Sequence, residues 1–94
     1  MQSRFLIEIR TIENAKKVVN IACDFEEDID IKQGRYTIDG KSIMGLFSLD
    51  ITQPLWVEIK SHDPDVIVNF YHRMEEFTVE SSRAESGDPN RDRW

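Results

Sequence analysis

The apolar residues of this chain switch between a spacing of two and a spacing of three to four, and that switching limits the folds open to it. Phe5, Ile7 and Ile9 alternate with polar neighbours, which predicts a half-buried strand over 4–10. Thr11 then stands as an N-cap. Ala15, Val18, Val19, Ala22 and Phe25 follow at helical spacing, so 12–24 is a helix with one apolar side. Ile29 and Ile31 return to alternation, Gln33-Gly34 turns the chain, and 35–39 comes back with Tyr36 and Ile38 inward. Beyond a tight Asp39-Gly40 turn lies a short apolar helix, which Thr52-Gln53-Pro54 ends. Leu55, Val57 and Ile59 face inward from a fourth strand over 55–60, leaving Trp56 on the opposite side. Asp63-Pro64 opens a last helix, proline near its first turn, with a stripe of Ile67, Phe70, Tyr71, Met74 and Phe77. The order is βαββαβα. An α+β open-faced sandwich, a four-stranded antiparallel sheet with three helices on one face, buries every inward residue.

Within that frame the short second helix stands out. Ser42 is placed to cap it, its hydroxyl accepting an amide of the first turn. Ile43, Met44, Leu46, Phe47 and Leu49 are too many apolar residues for one narrow stripe. Leu46 and Leu49 are expected to face the core, with Ile43, Met44 and Phe47 leaning towards solvent. An apolar surface beyond the buried side points to a contact with another protein.

Composition removes several classes of function. Ninety-four residues, 39% hydrophobic and 32% charged, suit one globular domain with a modest core. Residues 1–79 are expected to form it, and 80–94, rich in Ser, Gly, Asn, Pro and mixed charge, a mobile tail. Trp94 folding back over Trp56 is the rival expectation for that tail. No apolar run approaches the ~20 residues of a membrane span, and no secretory signal is expected before the first strand. A single cysteine, Cys23, forms no internal disulfide and fits a cytoplasmic protein. The net charge of −6, with five acids between Asp24 and Asp30, argues against nucleic acid. Those acids form no calcium loop, since Ile29 stands at the sharp-turn glycine and Arg35 at the closing glutamate. His62, in a turn, and His72, on the last helix, have no cysteines near them in sequence, so no metal or cofactor is expected.

The motif Asp28-Ile29-Asp30-Ile31, then Gly34, then Lys41-Ser42-Ile43-Met44-Gly45 and Ser48-Leu49 resembles, without a gap, the serine-site region of HPr. HPr is the small phosphocarrier of the bacterial sugar phosphotransferase system, with regulatory relatives. The similarity continues through Ala15, Val18, Val19, Ala22 and Phe25 and covers residues 3 to 77. It implies the HPr-like sandwich, protein partners of a regulatory or metabolic kind, and phosphorylation of Ser42 by a dedicated serine kinase. A phosphate there would lie on a helix start beside Lys41. The resemblance also implies that Lys16, Asn20 and Cys23 on the first helix complete a docking surface with Lys41, Ile43, Met44 and Phe47. For Cys23 the plainer reading is a small, half-buried filler.

The family's other signature, a histidine followed by x-Arg-Pro, is missing. Counting back from the ungapped block puts Thr11 at the histidine, Glu13 at the arginine and Asn14 at the proline. The strand reads through to Arg10, so the family's longer active-site loop looks shortened to about one residue. A histidine with a pKa near 6.5 is nucleophilic at neutral pH and forms a labile phosphoramidate. A threonine ester is a stable product, and Glu13 would repel an incoming phosphate. The expected function is therefore a non-catalytic HPr-like adaptor. Two other readings stay open: a phosphoryl-transfer component using another residue, and a structural module dimerising weakly through Trp56.

Overall fold

The computed structural model describes residues 3–79. Its elements run β1 (Arg4–Ile7), α1 (Ile12–Cys23), β2 (Ile29–Gln33), β3 (Tyr36–Asp39), α2 (Ile43–Phe47), β4 (Leu55–Ile59) and α3 (Pro64–Met74), closed by a 3-10 turn over Glu75–Phe77. This is the expected βαββαβα order. The four strands form one antiparallel sheet in the order β1-β4-β2-β3, with registers Phe5↔Val57, Ile31↔Val57 and Ile31↔Ile38. Period-two alternation sends Phe5, Ile7, Ile29, Ile31, Leu55, Val57 and Ile59 into the core, against Ala15, Val18, Val19 and Ala22 of α1 and Ile67, Phe70 and Met74 of α3. The aromatic rings lock edge to face: Phe25 to Phe70 at 5.2 Å and Phe5 to Tyr71 at 5.0 Å between centroids. The expectation for residues 80–94 lies outside the described residues.

Trp56 does lie on the face opposite Leu55 and Val57, half-buried. That outer face sets Glu58 directly across from Asp30, a like-charge pair that would destabilise the sheet. Lys60 relieves it, reaching Glu58 at 3.1 Å and Asp30 at 3.6 Å. Glu58 foremost holds the lysine above its ordinary protonation range.

Six expectations are corrected. β1 stops at Ile7, so Glu8 to Thr11 form a four-residue connection rather than one residue. The Glu8 amide, on the free side of β1, donates to the Phe77 carbonyl at 2.8 Å, and Arg10 adopts a left-handed φ of 69°. Ile9 stays buried because the chain bends, which is why its alternation misled. Tyr36 is 70% exposed, not inward, and Ile38 is only half-buried. They share the helix side of the sheet, but Tyr36 opens the edge strand and is left largely uncovered there. Ile43 does not lean out but packs half-buried against the core, and Tyr71 is half-buried at the core's rim. Cys23 is exposed rather than half-buried.

Candidate functional site

Two helix starts carry the residues singled out above. At the first, Thr11 is extended (φ −126°, ψ 157°) and its hydroxyl accepts the Asn14 amide at 3.1 Å. The Asn14 side chain donates to the Ile9 carbonyl at 3.0 Å, which also takes the Thr11 amide at 2.8 Å. The Arg10 amide donates to Ile51, in the loop after α2, at 2.9 Å. The connection into α1 is thus pinned from three directions. Glu13 is exposed in the first turn, and the Arg10 guanidinium turns back to Glu8 at 2.9 Å. A carboxylate at a helix start is favourable for the helix and unfavourable for an incoming anion.

At the second start, Gly40 lets β3 turn into α2. A Cβ there would come within 2.8 Å of Ile29 Cγ2, so only glycine fits. Ser42 then caps α2 as expected, its hydroxyl accepting the Gly45 amide at 3.0 Å. Lys41 does not present its ammonium to Ser42 but donates it to the Phe25 carbonyl at 2.6 Å, tying α2 to the end of α1. Cys23 adds a weak Sγ contact of 3.7 Å to the Lys41 carbonyl. Behind the cap, Leu46 is fully buried and Leu49 nearly so, while Met44 is 75% and Phe47 40% exposed. Gly45 makes the close approach to β3, its Cβ position lying 3.4 Å from that of Ile38.

Of the expected surface, Cys23, Lys41, Ser42, Met44 and Phe47 therefore come together around α2, and Ile43 lies beneath them. Lys16 and Asn20 lie on the exposed side of α1, and their side chains make no hydrogen bond or ion pair among the described residues. His62 follows the end of β4 at which Ile59 bonds to Ser3, the start of β1, whereas α1 begins beyond the other end of β1. His72 is exposed on α3, 3.5 Å from Glu75.

Three participants escaped the sequence reading. Asn14 anchors the α1 start. Its signal was a carboxamide three residues after a capping threonine, where its side chain can reach back over the turn. Gln33 clamps the loop after α2, donating to the Asp50 carbonyl and accepting the Asp50 amide, both at 2.9 Å. Ile12, at the first position of α1, is 60% exposed. Within the clamped loop the Asp50 carboxyl lies below its ordinary range, held there first by the Thr52 hydroxyl and then by the Thr52 amide.

A family model described as the PTS HPr component phosphorylation site matches residues 12–69, well over half of the chain and including the whole α2 site. The chain belongs to the HPr family. Two solved structures share its fold. HPr-C-His from Thermoanaerobacter tengcongensis superposes with a TM-score of 0.63 at 22% identity, over 78% of this chain and 91% of its own. The phosphocarrier protein HPr from Bacillus anthracis str. Ames gives 0.61 at 20% identity, over 83% and 96%. At these identities the likeness to HPr structures is one of fold. Among curated proteins, none matches the chain.

Proposed function

We propose that this HPr-family chain is a non-catalytic adaptor that binds protein partners through α2 and is switched by phosphorylation of Ser42. The observation that supports it best is the pairing of a capping hydroxyl with exposed Met44 and Phe47 on the same five-residue helix. In the switched state a kinase transfers the γ-phosphoryl group of ATP to Ser42 Oγ, and the hydroxyl proton leaves. The dianion then stands at the edge of an apolar contact, where an approaching apolar partner surface would have to desolvate it. Phosphorylation at this position changes which partner docks, without any catalysis by the chain itself.

The α1 start supports the other half of the reading. Thr11 uses its hydroxyl as a cap, Glu13 stands in the same turn, and His62 lies towards the opposite end of the sheet. A phosphoryl group arriving at this start would meet an alcohol and a carboxylate.

Two labelling experiments test this. Incubation with a phosphotransferase enzyme I and phosphoenolpyruvate should leave the protein unlabelled, and stoichiometric acid-labile phosphate on either histidine would overturn the reading. With ATP and an extract of the host, acid-stable phosphate should appear on the wild type and not on Ser42→Ala. Equal labelling of the two would remove Ser42 as the switch.

A further inference from the structure

The sheet treats its two edges differently. On β1 the free side is covered. Glu8 bonds to Phe77 at 2.8 Å, Val79 to Leu6 at 3.0 Å, and Thr78 faces Ile7. On β3 the described residues offer no partner except β2. The Gly40 amide donates to the Ile29 carbonyl at 2.7 Å, and the register pairs Ile38 with Ile31 and Tyr36 with Gln33. Antiparallel ladders alternate, so residues 36, 38 and 40 spend their backbone groups on β2. Thr37 and the Asp39 amide then point away from the sheet, the Asp39 carbonyl already accepting the Ser42 amide at 3.0 Å. Arg35, Tyr36, Thr37 and Asp39 are all exposed. Open strand edges of this kind are templates for another strand.

We infer that β3 pairs antiparallel with β3 of a second copy, about a two-fold axis through Thr37, and so joins two sheets into one of eight strands. The segment is its own complement about that residue. Arg35 faces Asp39 of the partner subunit, Tyr36 faces Ile38 of the partner subunit, and Thr37 faces Thr37 of the partner subunit. Opposite charges, an aromatic with a β-branched residue, and paired threonines are each favoured across antiparallel strands. The outward amide and carbonyl of Thr37 and the outward amide of Asp39 are those such a register uses. Centring the axis on Ile38 would instead set Arg35 against Lys41 of the partner subunit, a like-charge pair. The contact also covers Tyr36, among the most exposed large apolar side chains described. A strand this short buries less than the ~1,200 Å² of a standard interface, so the dimer is weak and concentration-dependent. This goes beyond the adaptor reading and does not rest on it.

Sedimentation equilibrium over roughly 10 μM to 1 mM tests the register. The wild type should dimerise within that range. Arg35→Asp leaves carboxylates facing carboxylates, and Asp39→Arg leaves guanidiniums facing guanidiniums. Each alone should associate at least about tenfold more weakly. Mixed in equal amounts, the two chains form a heterodimer in which both pairs are complementary, so dimers return. Thr37→Pro removes an outward amide that the β2 ladder does not use, and should be monomeric with unchanged far-UV circular dichroism. Since Asp39 Oδ1 also accepts the Lys41 amide at 2.9 Å, failure of Asp39→Arg to fold would leave Arg35→Asp and Thr37→Pro to decide. A wild type that stays monomeric, a mixture no better than its components, or a Thr37→Pro dimer would overturn the inference. The last would send the contact elsewhere, the Trp56 face included.

Discussion

The starts of α1 and α2 are built from the same local chemistry and lead to different surfaces. Each is an extended residue whose hydroxyl accepts the amide three positions on, at 3.1 Å for Thr11 and 3.0 Å for Ser42. The α1 start is pinned by Asn14, by the Ile51 carbonyl and by a bent Ile9, and it carries Glu13. The α2 start is held through its neighbours, with Lys41 bonded to Phe25 and Gly40 packed on Ile29, and its helix leaves Met44 and Phe47 outside. A cap therefore says where a helix begins and nothing about what that beginning does. Function follows from what surrounds the cap: a carboxylate and a locked turn at one, an apolar rim at the other.

The largest effect should come from the side chain that seats α2. Leu46 is fully buried, so Leu46→Ala should cost about 3 kcal/mol in denaturant unfolding through lost burial and a residual cavity. Met44→Ala, on the same helix but 75% exposed, should fall within about 0.5 kcal/mol of the wild type. If the two variants cost the same, α2 does not divide into a seated side and a free one, and the contrast between the helix starts loses its meaning. Gly40→Ala should follow at about 2 kcal/mol, because the added methyl collides with Ile29.

The caps themselves come next. Thr11→Ala and Ser42→Ala should each cost about 1 kcal/mol, read as shifts of midpoint without change of slope. Near-equality here sharpens the comparison, since it separates the structural role, which both hydroxyls play, from phosphorylation, which is expected at Ser42 alone.

How much of this could be read from the sequence depends on how local its cause is. Both caps, the proline start of α3, the inward sets of β2 and β4 and the element order follow from spacing within a few residues, and they stand as expected. The errors fall where a distant partner decides. Ile9 continues the alternation of β1, yet the strand ends two residues earlier, where its pairing with β4 runs out at Leu55 and the Arg10 amide goes to Ile51 instead. Tyr36 has the parity of a core residue, but the strand order places β3 at an edge, and order is not encoded in alternation. In the site, Ser42, Met44 and Phe47 were legible because a short helix with too many apolar residues must expose some. The Gln33 clamp was not, since it joins residues that only the folded hairpin brings together.

A smaller effect, of opposite sign, tests how rigidly the α1 start is held. Arg10 has φ 69°, which a side chain disfavours and glycine accepts. Arg10→Gly should therefore be neutral to stabilising by about 0.5 kcal/mol, the relief of strain being partly offset by the greater freedom of the unfolded chain. A loss of 1 kcal/mol or more would show that the Arg10–Glu8 pair, exposed as it is, holds this turn more firmly than its backbone bonds do.

The smallest effect concerns the loop that links the two starts. Ile51 gives its carbonyl to Arg10, beside the α1 start, and the neighbouring Asp50 is held by Gln33 from the turn end of the hairpin that leads to α2. The Asp50 carboxylate accepts the Thr52 hydroxyl and amide, which keeps its protonation below the ordinary 3.8. A depressed carboxyl contributes stability that is fully present above its unfolded value and is lost as pH falls through the folded one. Thr52→Ala removes the larger of the two causes. The Asp50 carboxyl carbon, followed by NMR, should then titrate nearer 3.8, and any stability difference from the wild type should vanish below the folded midpoint. If the midpoint does not move, the hydroxyl bond is absent in solution. The link between the helix starts would then rest on the Gln33 side chain and the Arg10–Ile51 backbone bond.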